Sequence, residues 1–234
     1  MSQSEGQGHL HPITQTTNDI VRIFSEIGFS VATGPEVESE ENNFDLLNIP
    51  KDHPARDMWD TIWLKEKGKL LRTHTSPVQV RYMKEHRPPI KIIAPGKVYR
   101  FEATDATHEV QFYQLEGLAI DEKGKITLAH LKGVLEHFLK EFFGQDIKFR
   151  MRPGFFPFVE PGIEVDIQFA PGKWVEILGA GMVHPSVLKA VGIDPEKYAG
   201  FAFGTGLDRM VMRHFGIPDV RLLYQGDLRF INQF

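Results

Sequence analysis

Apolar residues recur at helical spacing early in the chain: Ile20, Val21, Ile23, Phe24 and Ile27, with Gly28 where a C-terminal cap belongs. This pattern predicts a helix over 16–27 and an extended stretch over 29–32 that stops at Gly34-Pro35. The acidic run from Glu36 to Glu41 reads as a solvated loop. Segments 61–64 and 70–73 flank Lys67-Gly68 and read as a hairpin. Ser76 then caps a helix with Pro77 at its first position, and Pro88-Pro89 ends it. Strands are predicted over 90–94, 97–102 and 112–120, with a polar loop over 103–110. The strongest helix follows Thr127, where Leu128, Leu131, Leu135, Phe138, Leu139 and Phe142 form one core-facing stripe before Gly144. Strands over 147–151, 163–169 and 174–178 come next, the last two joined at Pro171-Gly172, and a helix over 205–215 precedes Gly216. Strands outnumber helices and connect mostly by hairpins. The expected class is α+β, an antiparallel sheet flanked by helices.

Composition narrows this only a little. The 234 residues are 41% hydrophobic and 25% charged, with no break to suggest two domains. A single domain over 9–234 is expected after a polar, disordered tail over 1–8. No apolar run approaches the ~20 residues of a membrane span, so no membrane association is expected and the cytoplasm is the default location. The absence of cysteine excludes disulfides and thiolate zinc sites. His9 and His11 lack an acidic partner at fixed spacing and are not expected to hold metal. A net charge of −4 argues against a surface that grips nucleic acid everywhere.

Three groups of residues carry candidate chemistry. In Val98-Tyr99-Arg100-Phe101-Glu102, Arg100 and Glu102 are two apart in a predicted strand and share a face. A strand-mounted guanidinium suits phosphate oxygens, and the glutamate can accept from an adenine amino group. On its own the pair fits a cross-strand ion pair on a solvated face better. Gly204-Thr205-Gly206-Leu207-Asp208-Arg209 puts glycines at a strand-to-helix junction, where backbone can approach a ligand, and Arg209 just beyond. Alone it fits a tight turn with an Asp-Arg surface pair as well. The third is a polar and aromatic set of Trp59, His74, Ser76, Gln114, Glu116, Phe156, Phe158 and Ala202. Gln114 and Glu116 share a strand face, whereas a phenylalanine cluster by itself is more often core.

Together these pieces resemble the class II aminoacyl-tRNA synthetases. Gly34-Pro35 resembles their motif 1, Arg100-Phe101-Glu102 motif 2 and Gly204 to Arg209 motif 3, in the family's order. The likeness narrows to the phenylalanine-specific alpha chain through His11-Pro12-Ile13-Thr14, Arg72-Thr73-His74-Thr75-Ser76-Pro77 and Gln114-Leu115-Glu116-Gly117. Phe156-Pro157-Phe158, Gly179-Ala180-Gly181-Met182-Val183-His184-Pro185, Gly200-Phe201-Ala202-Phe203-Gly204 and Asp227-Leu228-Arg229-Phe230 extend it from about residue 9 to the end.

The resemblance implies ATP-dependent activation of L-phenylalanine to its adenylate. Arg100 would hold the α-phosphate and Arg209 the far phosphates of a bent nucleotide. Glu102 and Phe112 would receive adenine, with His108 near the phosphates and Glu176 the acidic ligand for Mg2+. Trp59, His74, Ser76, Gln114 and Glu116 would surround the amino group of phenylalanine. Phe156 and Phe158 would pack its ring edge-to-face, a geometry worth ~1 kcal/mol beyond burial, over a floor of Val159, Ala202 and Gly204. The family's alpha chain carries an N-terminal tRNA-binding arm and works beside a larger beta chain. The likeness here starts near residue 9, so binding of tRNA(Phe) is expected to be weak without that arm. The motif 1 region, 16–32, is expected to pair two copies of the chain or to meet a beta chain.

Overall fold

The computed structural model describes residues 8–56, 61–170 and 172–234. The reading of residues 1–8 as a disordered tail, Gly8 aside, lies outside these residues, as do Trp59 and Pro171.

The first helix, α1 (Pro12–Glu26), starts four residues before the predicted 16. His11 supplies its cap, Nδ1 accepting from the Ile13 amide at 3.2 Å, and Pro12 takes the first position, where its missing N–H costs nothing. Next come β1 (Ser30–Val31), β2 (Val37–Ser39), α2 (Glu40–Asn43), β3 (Lys69–Leu71) and α3 (Ser76–Glu85). The predicted 61–64/70–73 hairpin is present as backbone bonds from Leu64 to Lys69 and from Leu71 to Ile62, each 3.0 Å. The ladder partner of β3 is β2. The acidic run therefore is not a solvated loop: Glu38 lies on β2 with no solvent exposure and pairs with Arg81 of α3, Nη2 to Oε2 at 3.0 Å.

The long strands follow: β4 (Ile90–Tyr99), β5 (Gln111–Glu122), β6 (Lys148–Phe156), β7 (Val159–Ala170), β8 (Lys173–Val183) and β9 (Tyr198–Gly206). Between them lie α4 (Leu128–Phe143) and α5 (Pro185–Ala190), and α6 (Leu207–Phe215) and α7 (Leu228–Ile231) close the chain. The two strands predicted over 90–102 are one strand to Tyr99, running through Pro95-Gly96. Pro95 is tolerated because β1 pairs only Ile92 and Ile93 on that side, which leaves Pro95 at an edge.

The seven-stranded sheet has the order β1-β4-β5-β9-β8-β7-β6, antiparallel except for the β1–β4 pair. Strand alternation divides its two faces. Leu115 and Ala119 of β5, with Phe201 and Phe203 of β9, pack under α1, α4 and α6 through Phe24, Phe138, Leu139 and Met210. Of the α4 stripe, Leu128 alone departs from expectation: it stands at the first turn and is exposed. Leu118 and Ile120 face the other way, against Phe44, Val78, Met83 and Leu188. That second layer covers only part of its face. The candidate site occupies the remainder.

Candidate active site

On β5, Phe112, Gln114 and Glu116 alternate onto the partly covered face, and β9 sets Ala202 opposite Leu118 and Gly204 opposite Glu116. His74 and Ser76 arrive from the β3–α3 junction. Phe156 and Phe158 come from the β6–β7 turn, their rings 5.9 Å apart and 25° from parallel, and Val159 begins β7. Gly179 of β8 makes room for this turn, since a Cβ there would meet the Phe156 ring at 2.7 Å. All of these residues except Phe112 border one cavity of about 370 Å³.

The polar end of that cavity is built around Glu116, which is 7% exposed. Its carboxylate accepts from the Thr75 amide at 3.1 Å, from the Ser76 hydroxyl and from Gln79 Nε2 at 3.1 Å. Burial pushes its carboxyl up to about 7 even though these donors pull it down. Ser76 is therefore not the helix cap expected from sequence. Thr75 takes that position without a side-chain bond, and the Ser76 hydroxyl is committed to Glu116. The buried ring nitrogens of His74 lack partners of good geometry, with only a weak approach to the Asn43 backbone, and Gln114 Oε1 has none. Desolvation and then Arg100 depress the His74 imidazole to about 3, so it is neutral. A cavity with an apolar body, a buried carboxylate and unsatisfied polar groups at one end suits a small ligand with an ammonium head.

A second cavity of about 380 Å³ adjoins the first, and Arg100, Gln114, Phe156, Gly179 and Gly204 border both. Arg100, Glu102, His108, Phe112, Glu176 and Arg209 line it together. Arg100 and Glu102 lie beyond the end of β4 rather than on it. The Glu102 amide turns back to the Arg100 carbonyl at 3.0 Å, and the Arg100 amide makes a last rung to Val110 at 2.9 Å. The Arg100 guanidinium sits 5.0 Å over the Phe112 ring, donates from Nε to the Thr73 carbonyl at 3.2 Å and lies 4.0 Å from the Glu102 carboxylate. Arg209 reaches from α6 to the Glu176 backbone carbonyl at 3.5 Å, and no carboxylate among the described residues forms an ion pair with it. The Asp-Arg surface pair that a plain turn would give is absent among these residues. His108 is held inside the 103–110 loop by Asp105, Nδ1 to Oδ1 at 3.0 Å. The Thr107 amide and His108 together hold that carboxylate well below the usual range.

The whole chain, residues 1–234, matches the family model described as the class II core domain (F) of tRNA synthetases. The chain belongs to that family. Curated relatives of this class II core include phenylalanine–tRNA ligase alpha subunits. That of Dehalococcoides mccartyi is 54% identical over 97% of this chain and 70% of its own length. Those of Caldanaerobacter subterraneus and Synechocystis are 55% and 54% identical, again over 97% of this chain, and over 69% and 68% of theirs. Among solved structures, the pyrrolysyl-tRNA synthetase of Desulfitobacterium hafniense superposes with a TM-score of 0.71 at 17% identity, covering 92% of this chain and 73% of that one. At that identity the likeness is one of fold.

Sequence alone gives no site role to two further residues, Gln79 and Asp208. Gln79 lines the first cavity and holds Glu116. Its spacing of three from Ser76 on a helix was the available signal, since residues three apart share a face. Asp208 fits the surface pair of a tight turn by sequence alone, but it is buried, accepts from the Tyr113 amide at 2.6 Å and accepts from the Tyr224 hydroxyl. Among the described residues no helix is long and apolar enough to cross a membrane, and no cluster of three metal-binding side chains forms.

Proposed function

We propose that the first cavity holds L-phenylalanine, that the second holds ATP, and that the chain joins them as phenylalanyl-adenylate. The observation that carries this reading is the shared wall. Two cavities of similar size meet at Arg100, one apolar with a buried carboxylate and the other flanked by two arginines. Glu116, Ser76, His74 and Gln114 receive the ammonium group, with Phe156 and Phe158 against the ring and Val159, Ala202 and Gly204 beneath it. Adenine stacks on Phe112 beside Glu102, with His108 near the phosphates and Arg209 on the far ones.

The amino acid's carboxylate oxygen attacks the α-phosphorus, a new P–O bond forms, and pyrophosphate leaves with the electron pair of the broken one. No enzyme nucleophile is required. Arg100, bordering both cavities, bonds the α-phosphate as negative charge builds on it, while the cavity walls hold the two reactants in line. Magnesium, when bound, neutralises phosphate charge. The exposed carboxylate of Glu176 fits it, because Mg2+ commonly takes one or two carboxylates and completes its shell with phosphates and water.

Transfer to tRNA(Phe) and association with a second chain complete the reading. The relatives named as alpha subunits support a beta-chain partner, and the edge strand β1, whose two residues are both exposed, offers a place for a partner or second copy. A non-hydrolysable phenylalanyl-adenylate analogue tests the joint occupancy by calorimetry. It should bind at least tenfold tighter than either phenylalanine or ATP alone, and the tyrosyl analogue should bind more weakly. Affinity no better than that of the separate ligands contradicts a continuous two-part site.

A further inference from the structure

The β5–β9 ladder ends at the pair Gln114–Gly206. At the next position β9 has already turned into α6, so no strand remains to meet the Tyr113 amide on that side. Asp208 replaces the missing rung. Its Oδ2 accepts from the Tyr113 N–H at 2.6 Å, and its Oδ1 accepts from the Tyr224 hydroxyl, which comes from the segment after α6. Asp208 is 5% exposed, borders the second cavity and links the two elements that face it. Phe112 is next to Tyr113 on β5, and Arg209 is next to Asp208 on α6.

The same C-terminal segment is tied elsewhere. The Val220 amide donates to the Ala106 carbonyl at 2.9 Å, joining it to the 103–110 loop, and His11 Nε2 bonds the Leu223 carbonyl at 2.9 Å, joining it to the start of α1. The segment leading into Tyr224 is thus anchored at two points before the tyrosine reaches Asp208. A buried carboxylate with two donors from separate elements, one of them backbone, fixes those elements against each other.

We propose that Asp208 is a positioning residue that sets the offset between Phe112 and Arg209, and so the span of the nucleotide cavity, by replacing the terminal rung of the ladder. This rests on the reading of that cavity as the ATP site. Asp208 borders that cavity, but both of its carboxylate oxygens are committed to Tyr113 and Tyr224. Its removal should spare the amino-acid cavity, whose walls include neither Asp208 nor Tyr113.

The test measures dissociation constants for ATP and for L-phenylalanine with the full chain carrying Asp208→Ala, Asp208→Asn or Arg209→Ala, each checked for folding by its thermal transition. Asp208→Ala should weaken ATP about tenfold or more, the scale of a lost charged hydrogen bond, and leave phenylalanine within about twofold. Asp208→Asn keeps an acceptor for the Tyr113 amide and should recover most of the ATP affinity. A folded Asp208→Ala protein that binds ATP normally while Arg209→Ala does not overturns the positioning role alone. Loss of ATP and phenylalanine binding in equal proportion also overturns it, marking Asp208 as a general stabiliser. Normal ATP binding by Arg209→Ala removes the nucleotide reading itself, and the role of Asp208 with it. Should Asp208→Ala not fold, the comparison of Asp208→Asn with Asp208→Glu decides: Glu, one methylene longer, should shift the offset and weaken ATP, and an ATP affinity equal to that of Asn overturns the proposal.

Discussion

Gly204 lies directly opposite Glu116 across the β5–β9 ladder, and a Cβ built on Gly204 would sit 3.0 Å from the Glu116 Cγ. The carboxylate that organises the amino-acid cavity therefore depends on a missing side chain on the neighbouring strand β9. Gly204→Ala should push Glu116 away from Ser76 and Gln79, and overpacking of this kind costs about 1–3 kcal/mol. Phenylalanine affinity is expected to fall about tenfold, read by calorimetry, with ATP affinity less affected.

Glu116 also makes a pH signature. Burial raises its carboxyl in the folded chain from 4.5 to about 7, so the folded state binds a proton that the unfolded state has released. The sign follows: this residue contributes a loss of stability as pH rises from about 4.5 to about 7, complete above that window and absent below it. Above about 7 the ionised carboxylate meets an ammonium group, so phenylalanine should bind more tightly as pH climbs through that value. In Glu116→Gln both effects should disappear. Thermal transitions and phenylalanine titrations of the two proteins, run in parallel from about pH 5 to pH 8, check this. Parallel slopes would remove Glu116 as their source.

Arg100 borders both cavities and belongs to neither alone. Loss of a donor to charge that develops in a transition state typically slows a reaction a hundred- to a thousandfold, about 2.7–4 kcal/mol. Arg100→Ala should therefore retain phenylalanine binding within a few-fold while adenylate formation collapses, measured as single-turnover release of pyrophosphate.

Ala202 stands on the amino-acid side, opposite Leu118 and half-buried in the cavity wall. One methyl or methylene in a hydrophobic pocket is worth about 10- to 200-fold in discrimination. Ala202→Gly is expected to raise activation of para-chlorophenylalanine relative to phenylalanine by at least about tenfold. An unchanged ratio across a para-halogen series would mean that Ala202 is not the floor under the ring.

Much of this architecture was readable from local pattern. The helices α1 and α4 announce themselves by apolar spacing, and the alternation of Gln114 and Glu116 on β5 put both on one face. What escaped depends on partners distant in sequence. Glu38 sits in an acidic run that looks solvated, and the charge that pairs it when buried comes from Arg81, 43 residues on, beside the local Ser39 amide and Asn42. Ser76 has the sequence of a helix cap, but its hydroxyl turns to Glu116, 40 residues away. By spacing Arg100 and Glu102 are strand neighbours, and nothing local shows that the Glu102 amide folds back on the Arg100 carbonyl. Each of the proposed ligand-facing residues that the structure describes nevertheless borders one of the two cavities. The motif blocks conveyed that placement through family resemblance; spacing alone left surface ion pairs and core aromatics as the better readings.

The central claim is that one apolar cavity with a buried carboxylate selects phenylalanine for attack on ATP. Pyrophosphate exchange into ATP, measured with each of the twenty amino acids in turn, tests it most directly. Phenylalanine should drive exchange, tyrosine should give a signal about a hundredfold lower, in keeping with the limited power of an apolar pocket to reject a hydroxyl, and the other eighteen should stay at background. Exchange driven equally well by another amino acid, or by none, would contradict the account.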